Sequence, residues 1–170
     1  MPVQRLNHAV LYVRDLERSV GFYTDALGFR VKTQVPGRAA FLQAEASTND
    51  HDLGLFAIGT QAGDSPAGRS TVGLYHLAWE VDTLAELRRI AEVLRARDSL
   101  VGASDHGTTK AIYARDPDGI EFEVSWLVPA DRLTPDVLES RKAIRPLDLE
   151  RERQRYGGGT RGGVGVSVPV

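Results

Sequence analysis

Leu6-Asn7-His8-Ala9-Val10-Leu11-Tyr12-Val13-Arg14-Asp15-Leu16 returns 68 positions later as Leu74-Tyr75-His76-Leu77-Ala78-Trp79-Glu80-Val81-Asp82-Thr83-Leu84. The leading Leu, the His, the Val and the closing Leu keep register in both copies. Each copy reads as a short apolar strand running into a helix. In the second, Thr83 and Glu86 have capping-box spacing, and Leu84, Leu87, Ile90, Ala91 and Leu94 follow the helical period. In the first, Asp15 serves as N-cap, Leu16, Val20, Tyr23 and Leu27 form the stripe to be buried, and Gly28 stops the helix.

Three strand-like segments follow each helix. They are Phe29–Thr33, Arg38–Ala44 and Asp52–Ile58 in the first half, and Leu100–Ala103, Thr109–Arg115 and Ile120–Trp126 in the second. A Pro-Asp-Gly turn at 117–119 separates the last two. The repeat is therefore βαβββ, and the expected fold is α+β, with two βαβββ modules whose sheets pair around a shared cleft. Residues 1–128 form the expected domain, with module one at 3–59, a Gly/Ser/Ala/Pro-rich linker at 60–73 and module two at 74–128. Residues 129–170 read as a charged, partly helical extension interrupted at Pro146. Its Gly-rich end is expected to be mobile.

Composition narrows the function. With 170 residues, 42% hydrophobic and 26% charged, the chain can bury a full core without crosslinks. There is no cysteine, which excludes disulfides, thiolate metal sites and cysteine nucleophiles. A net charge of -2 argues against nucleic acid and anionic membrane as partners. No apolar run is long enough for a membrane span, and Met1-Pro2-Val3-Gln4-Arg5 does not resemble a leader, so a cytoplasmic location is expected.

The chain has four histidines, His8, His51, His76 and His106. A lone histidine is usually a hydrogen-bonded core or edge residue. Two at one register of an internal repeat point elsewhere. A pseudo-two-fold packing of the modules would bring His8 and His76 face to face. The third donor comes from Glu121 or Glu123, which share one face of a strand whose other face is Ile120, Phe122, Val124 and Trp126. Two His and one carboxylate with open positions suit non-haem Fe(II), and Mn(II) accepts the same set.

The paired histidines, the βαβββ repeat and Asp116-Pro117-Asp118-Gly119 with a Glu four residues past the Gly resemble the vicinal oxygen chelate superfamily. It includes glyoxalase I, the fosfomycin- and bleomycin-resistance proteins and the type I extradiol catechol dioxygenases. The resemblance covers roughly residues 3–128 and implies Glu123, rather than Glu121, as the ligand beside His8 and His76. Tyr113, ten positions before Glu123, and Asp105-His106-Gly107 resemble the dioxygenase branch in its one-domain kind. His51-Asp52-Leu53-Gly54-Leu55 resembles that branch's strand start with an acid–base histidine. Every histidine thus matches a functional position of one family. Read singly, His51 and His106 could equally be loop and turn residues, and Tyr113 core.

A fourth ligand common in glyoxalase-type members would fall, by the 68-residue offset, on Leu55, which cannot bind metal. Arg115, beside the Asp-Pro-Asp-Gly turn, could pair with Asp116 or Asp118 and is assigned no chemistry. The resemblance implies extradiol cleavage of an aromatic diol by O2, with the metal as Lewis acid. His51 would exchange protons with substrate, while His106 and Tyr113 hydrogen-bond its oxygens. The competing readings are a glyoxalase-like isomerase or lyase with the same three ligands, and a metal-free drug-sequestering protein. The superfamily resemblance also implies a homodimer or higher homo-oligomer.

Overall fold

The computed structural model describes residues 2–66, 70–163 and 166–167. Residues 67–69 of the expected linker, and 164, 165 and 168–170 of the Gly-rich end, lie outside the described residues. The chain divides into two compact units. The first is Met1–Pro66 together with Asp116–Gly119; the second is Ala67–Arg115 with Ile120–Val170.

In the first unit the order is β1 (Ala9–Val13), α1 (Leu16–Leu27), β2 (Arg30–Val35), β3 (Ala39–Gln43) and β4 (Leu53–Ala57). The sheet order is β1-β4-β3-β2, with β1 and β4 parallel. Asp15 caps α1 by accepting from the Arg18 N–H, and Gly28 closes it in the left-handed region at φ 74°. The buried stripe of α1 is Leu16, Ser19, Phe22, Tyr23 and Ala26. Val20 and Leu27 are only half-buried at its margin, because the helix turns its large aromatic pair, Phe22 and Tyr23, into the core. Leu11, Val13, Leu42, Leu53 and Leu55 are buried in the same unit.

The Asp-Pro-Asp-Gly turn belongs to this unit. Asp116 accepts from the Tyr23 hydroxyl at 3.1 Å, while Asp118 accepts from the Arg14 backbone N–H and guanidinium at 3.1 and 3.0 Å. Asp116 also caps its own turn by accepting from the Asp118 N–H, and Gly119 takes φ 84°. The Arg115 guanidinium lies 3.7 Å from Glu121, the directly opposed residue on the next strand. Arg14 takes Asp118.

The second unit runs β5 (Leu77–Glu80), α2 (Leu84–Ala96), β6 (Leu100–Asp105), β7 (Thr109–Arg115), β8 (Glu121–Leu127), α3 (Pro135–Ser140), β9 (Arg145–Pro146) and α4 (Leu149–Tyr156). Thr83 caps α2, and the five apolar residues read from its period are all buried. The sheet order is β5-β8-β7-β6-β9, so the charged extension adds a fifth, edge strand. Pro146 is accommodated there, since an edge position does not require its missing N–H. Further along, the Gly162 N–H donates to Asp82, and Trp126 Nε1 donates to the Thr160 carbonyl. No helix among the described residues is long and apolar enough to cross a membrane.

Candidate metal centre

In the first unit, His8 immediately precedes β1 and His51 lies just ahead of β4. The parallel ladder Ala9↔Leu53 puts these two strand entrances side by side. Asp52 and Asn49 lock the junction. The Ala9 N–H donates to the Asp52 carbonyl at 2.9 Å, and Asn49 Nδ2 donates to the Asn7 carbonyl and to Asp52 Oδ1, both at 2.7 Å. The His8 and His51 rings consequently stand 4.6 Å apart. Phe41 packs its ring against His51 at 5.0 Å.

The tautomers of both histidines follow from their neighbours. His8 Nδ1 is 2.7 Å from Asn7 Oδ1, an atom that only accepts, so Nδ1 carries the hydrogen and Nε2 keeps its lone pair. His51 Nδ1 is likewise 2.9 Å from Asp50 Oδ2, and that hydrogen bond holds the Asp50 carboxyl below its ordinary range. In its neutral form each histidine therefore presents a basic Nε2. One can ligate and the other can take a proton.

The second unit gathers His76, His106, Tyr113 and Glu123. His76 immediately precedes β5, at the same place in its module as His8. Its Nε2 lies 3.4 Å from Glu123 Oε2, with both side chains largely buried. Glu123 faces Tyr113 directly across the β7–β8 ladder. The Tyr113 hydroxyl is 2.9 Å from His106 Nε2, and the Tyr113 and His76 rings are 6.0 Å apart. Burial, then the Glu123 charge and its hydrogen bond, push the Tyr113 hydroxyl up to about 12, so it remains a proton donor through the neutral range.

These residues suit a divalent cation. His76 Nε2 and Glu123 Oε2 have a separation close to the roughly 3 Å expected of neighbouring ligands with bonds near 2.1 Å. Nitrogen and carboxylate donors match Fe(II) or Mn(II). Among the described residues His76 Nδ1 is buried without a hydrogen-bond partner, so it is Nε2, beside Glu123, that faces the candidate site. Among the described residues, no three His, Cys, Asp or Glu side chains are gathered into one group able to hold a metal. The structure thus brings together two pairs of expected site residues in the second unit and one pair in the first.

The ladders revise the offset used to look for a fourth donor. Val10 pairs with Gly54, and Ala78, its repeat equivalent, pairs with Glu123. Glu123 therefore corresponds to Gly54, not Leu55, because the segment joining first and last strands differs by one residue between modules. A hydrogen replaces the carboxylate, and Val10 and Phe41 occupy the neighbouring space. What sequence reading missed was the support around His106, where the signal was Lys110, a charged residue in an apolar strand that is 1% exposed.

Catechol-2,3-dioxygenase of Bacillus subtilis (strain 168) is 30% identical over 119 residues, covering 70% of this chain and 40% of that protein. Biphenyl-2,3-diol 1,2-dioxygenase 3 of Rhodococcus globerulus is 35% identical over 124 residues, covering 71% and 62%. The chain thus spans less than two thirds of either dioxygenase. Metallothiol transferase FosB of Lysinibacillus sphaericus (strain C3-41) is 30% identical over 143 residues, covering 78% and 89%. The relatives therefore include more than one kind of metal-dependent enzyme. Among solved structures, a glyoxylase/bleomycin resistance protein/dioxygenase domain from Frankia sp. EAN1pec superposes with a TM-score of 0.63 at 21% identity, covering 76% of this chain and 96% of that one. It shares the fold. Residues 5–124 match the sequence model of one family, and the chain belongs to the Glyoxalase/Bleomycin resistance protein/Dioxygenase superfamily.

Proposed function

We propose that this chain is an extradiol ring-cleaving dioxygenase that adds O2 to a catechol-type diol at a divalent metal, Fe(II) or Mn(II). His76 and Glu123 supply two ligands and His8 the third. The observation that carries the reading is the His106–Tyr113 hydrogen bond, set beside Glu123 and His76. A proton-donating pair next to the metal donors serves a substrate whose oxygens gain negative charge during reaction. An isomerase or lyase with the same three ligands has no need of His51, His106 and Tyr113 together.

When bound, the metal supplies Lewis acidity that lowers the catechol pKa and fixes the diol beside O2. His51, with Nδ1–H held by Asp50, takes the released substrate proton at Nε2 and returns it later. Tyr113 and His106 hold substrate oxygens by hydrogen bonds. The product is a ring-opened semialdehyde. A cytoplasmic, homodimeric or larger assembly is part of the same proposal.

The test is a substrate comparison. Protein reconstituted anaerobically with Fe(II), and separately with Mn(II), is offered a catechol panel with O2 and, in parallel, glyoxalase and fosfomycin-type substrates. Yellow semialdehyde from a catechol supports the proposal. Turnover confined to the other substrates would replace it with the isomerase, lyase or transferase reading.

A further inference from the structure

We propose that the C-terminal extension, which lies beyond the matched family region, is a positioning element that holds His106 against Tyr113. The inference rests on His106 and Tyr113 being site residues. His106 occupies a tight connection between β6 and β7, where its backbone N–H donates to the Thr109 carbonyl at 2.9 Å. Three parts of the extension grip the residues around it.

The first grip is on the backbone. β9 pairs with the end of β6, matching Ser104 with Pro146 and Asp105 with Arg145, so the residue preceding His106 is fixed in a five-stranded sheet. The second is close packing at Gly107, which is buried at φ 77°. A Cβ there would stand 2.7 Å from the Arg141 backbone nitrogen and would also strike the Ser140 hydroxyl, both at the end of α3. Only glycine permits that approach.

The third grip is electrostatic. Asp105 Oδ1 accepts from the Gly107 N–H at 2.8 Å and from Lys110 Nζ at 2.5 Å. Lys110 also lies 3.1 Å from Glu152 on α4, and both of those side chains are almost wholly buried. Removing the ammonium would leave two carboxylates facing one another without a counter-charge, an unfavourable buried arrangement. Asp105, Lys110 and Glu152 touch no reacting atom on this reading. They act through His106.

The experiment is a coupling measurement on the full chain. In metal-free protein with ¹⁵N-labelled histidine, Tyr113→Phe should shift the His106 Nε2 resonance, reporting their hydrogen bond. In Lys110→Met the same Tyr113→Phe change should leave that resonance unmoved, because the contact is already lost. Glu152→Gln removes only one charge and serves if Lys110→Met does not fold. In folded variants, kcat/KM for catechol cleavage should fall at least tenfold, while Mn(II) affinity changes by less than about twofold. Persistence of the His106 response to Tyr113→Phe in the folded variants would overturn the proposal. So would activity loss that merely follows loss of metal. If the parent protein cleaves no catechol, the dioxygenase reading fails, and the resonance measurement still decides the positioning role.

Discussion

Tyr113 lies directly opposite Glu123 in the antiparallel ladder of β7 and β8. One strand thus presents a phenolic hydroxyl beside the carboxylate proposed as a metal ligand on the next, and His106 reaches the same hydroxyl from the connection before β7. The alternation of a strand puts Glu123 on this face while Phe122 and Val124 enter the core. Chemistry and stability are divided between the two sides of one sheet.

Metal affinity should separate ligands from neighbours. His76→Ala and Glu123→Ala are each expected to weaken Mn(II) binding by more than about 100-fold, beyond the loss typical of outer-sphere changes. His8→Ala should do the same. Titration followed by electron paramagnetic resonance of free Mn(II) measures each. Chelation should leave the far-ultraviolet circular dichroism unchanged, since the cores are built from apolar side chains.

His51→Ala should retain metal and lose rate. General acid–base residues contribute about 10²–10⁴-fold, and a fall of that size in kcat with unaltered Mn(II) affinity is the expected result. Asp50→Ala should have a smaller effect in the same direction, because Asp50 fixes the tautomer rather than moving the proton. Steady-state oxygen uptake measures both.

Tyr23 links α1 to the Asp-Pro-Asp-Gly turn through the hydrogen bond to Asp116. Burial first, then the Asp116 charge, raise its hydroxyl well above the ordinary value of 10. The native state therefore keeps a proton that the unfolded chain releases. This stabilisation is fully present below about pH 10 and is lost as pH rises through the folded-state value. Tyr23→Phe should cost about 1 kcal/mol in denaturant unfolding at neutral pH. The same variant should lose less stability than the parent between neutral pH and pH 11.

Much of this was legible in the residues. The repeat spacing located His8 and His76 at matching strand entrances, and Asp15, Gly28 and Thr83 marked helix ends because capping is local chemistry. Long-range partners were not legible. Tyr23 and Asp116 are 93 positions apart, and nothing near Arg115 indicated that Arg14 would take Asp118. The Gly54 correspondence required the ladder itself, since a one-residue difference in a connection changes the alternating face. Lys110 stands out as a charge in an apolar strand, but its partner Glu152, 42 positions on, was not legible.

Oxygen consumption by the Fe(II)-reconstituted protein tests the central claim most directly. With a limiting catechol, the account predicts one O2 consumed per diol and a ring-opened product heavier than the substrate by both oxygen atoms, with uptake abolished in Glu123→Ala. Firm Fe(II) binding with no catechol-dependent oxygen uptake from any member of the panel would contradict it.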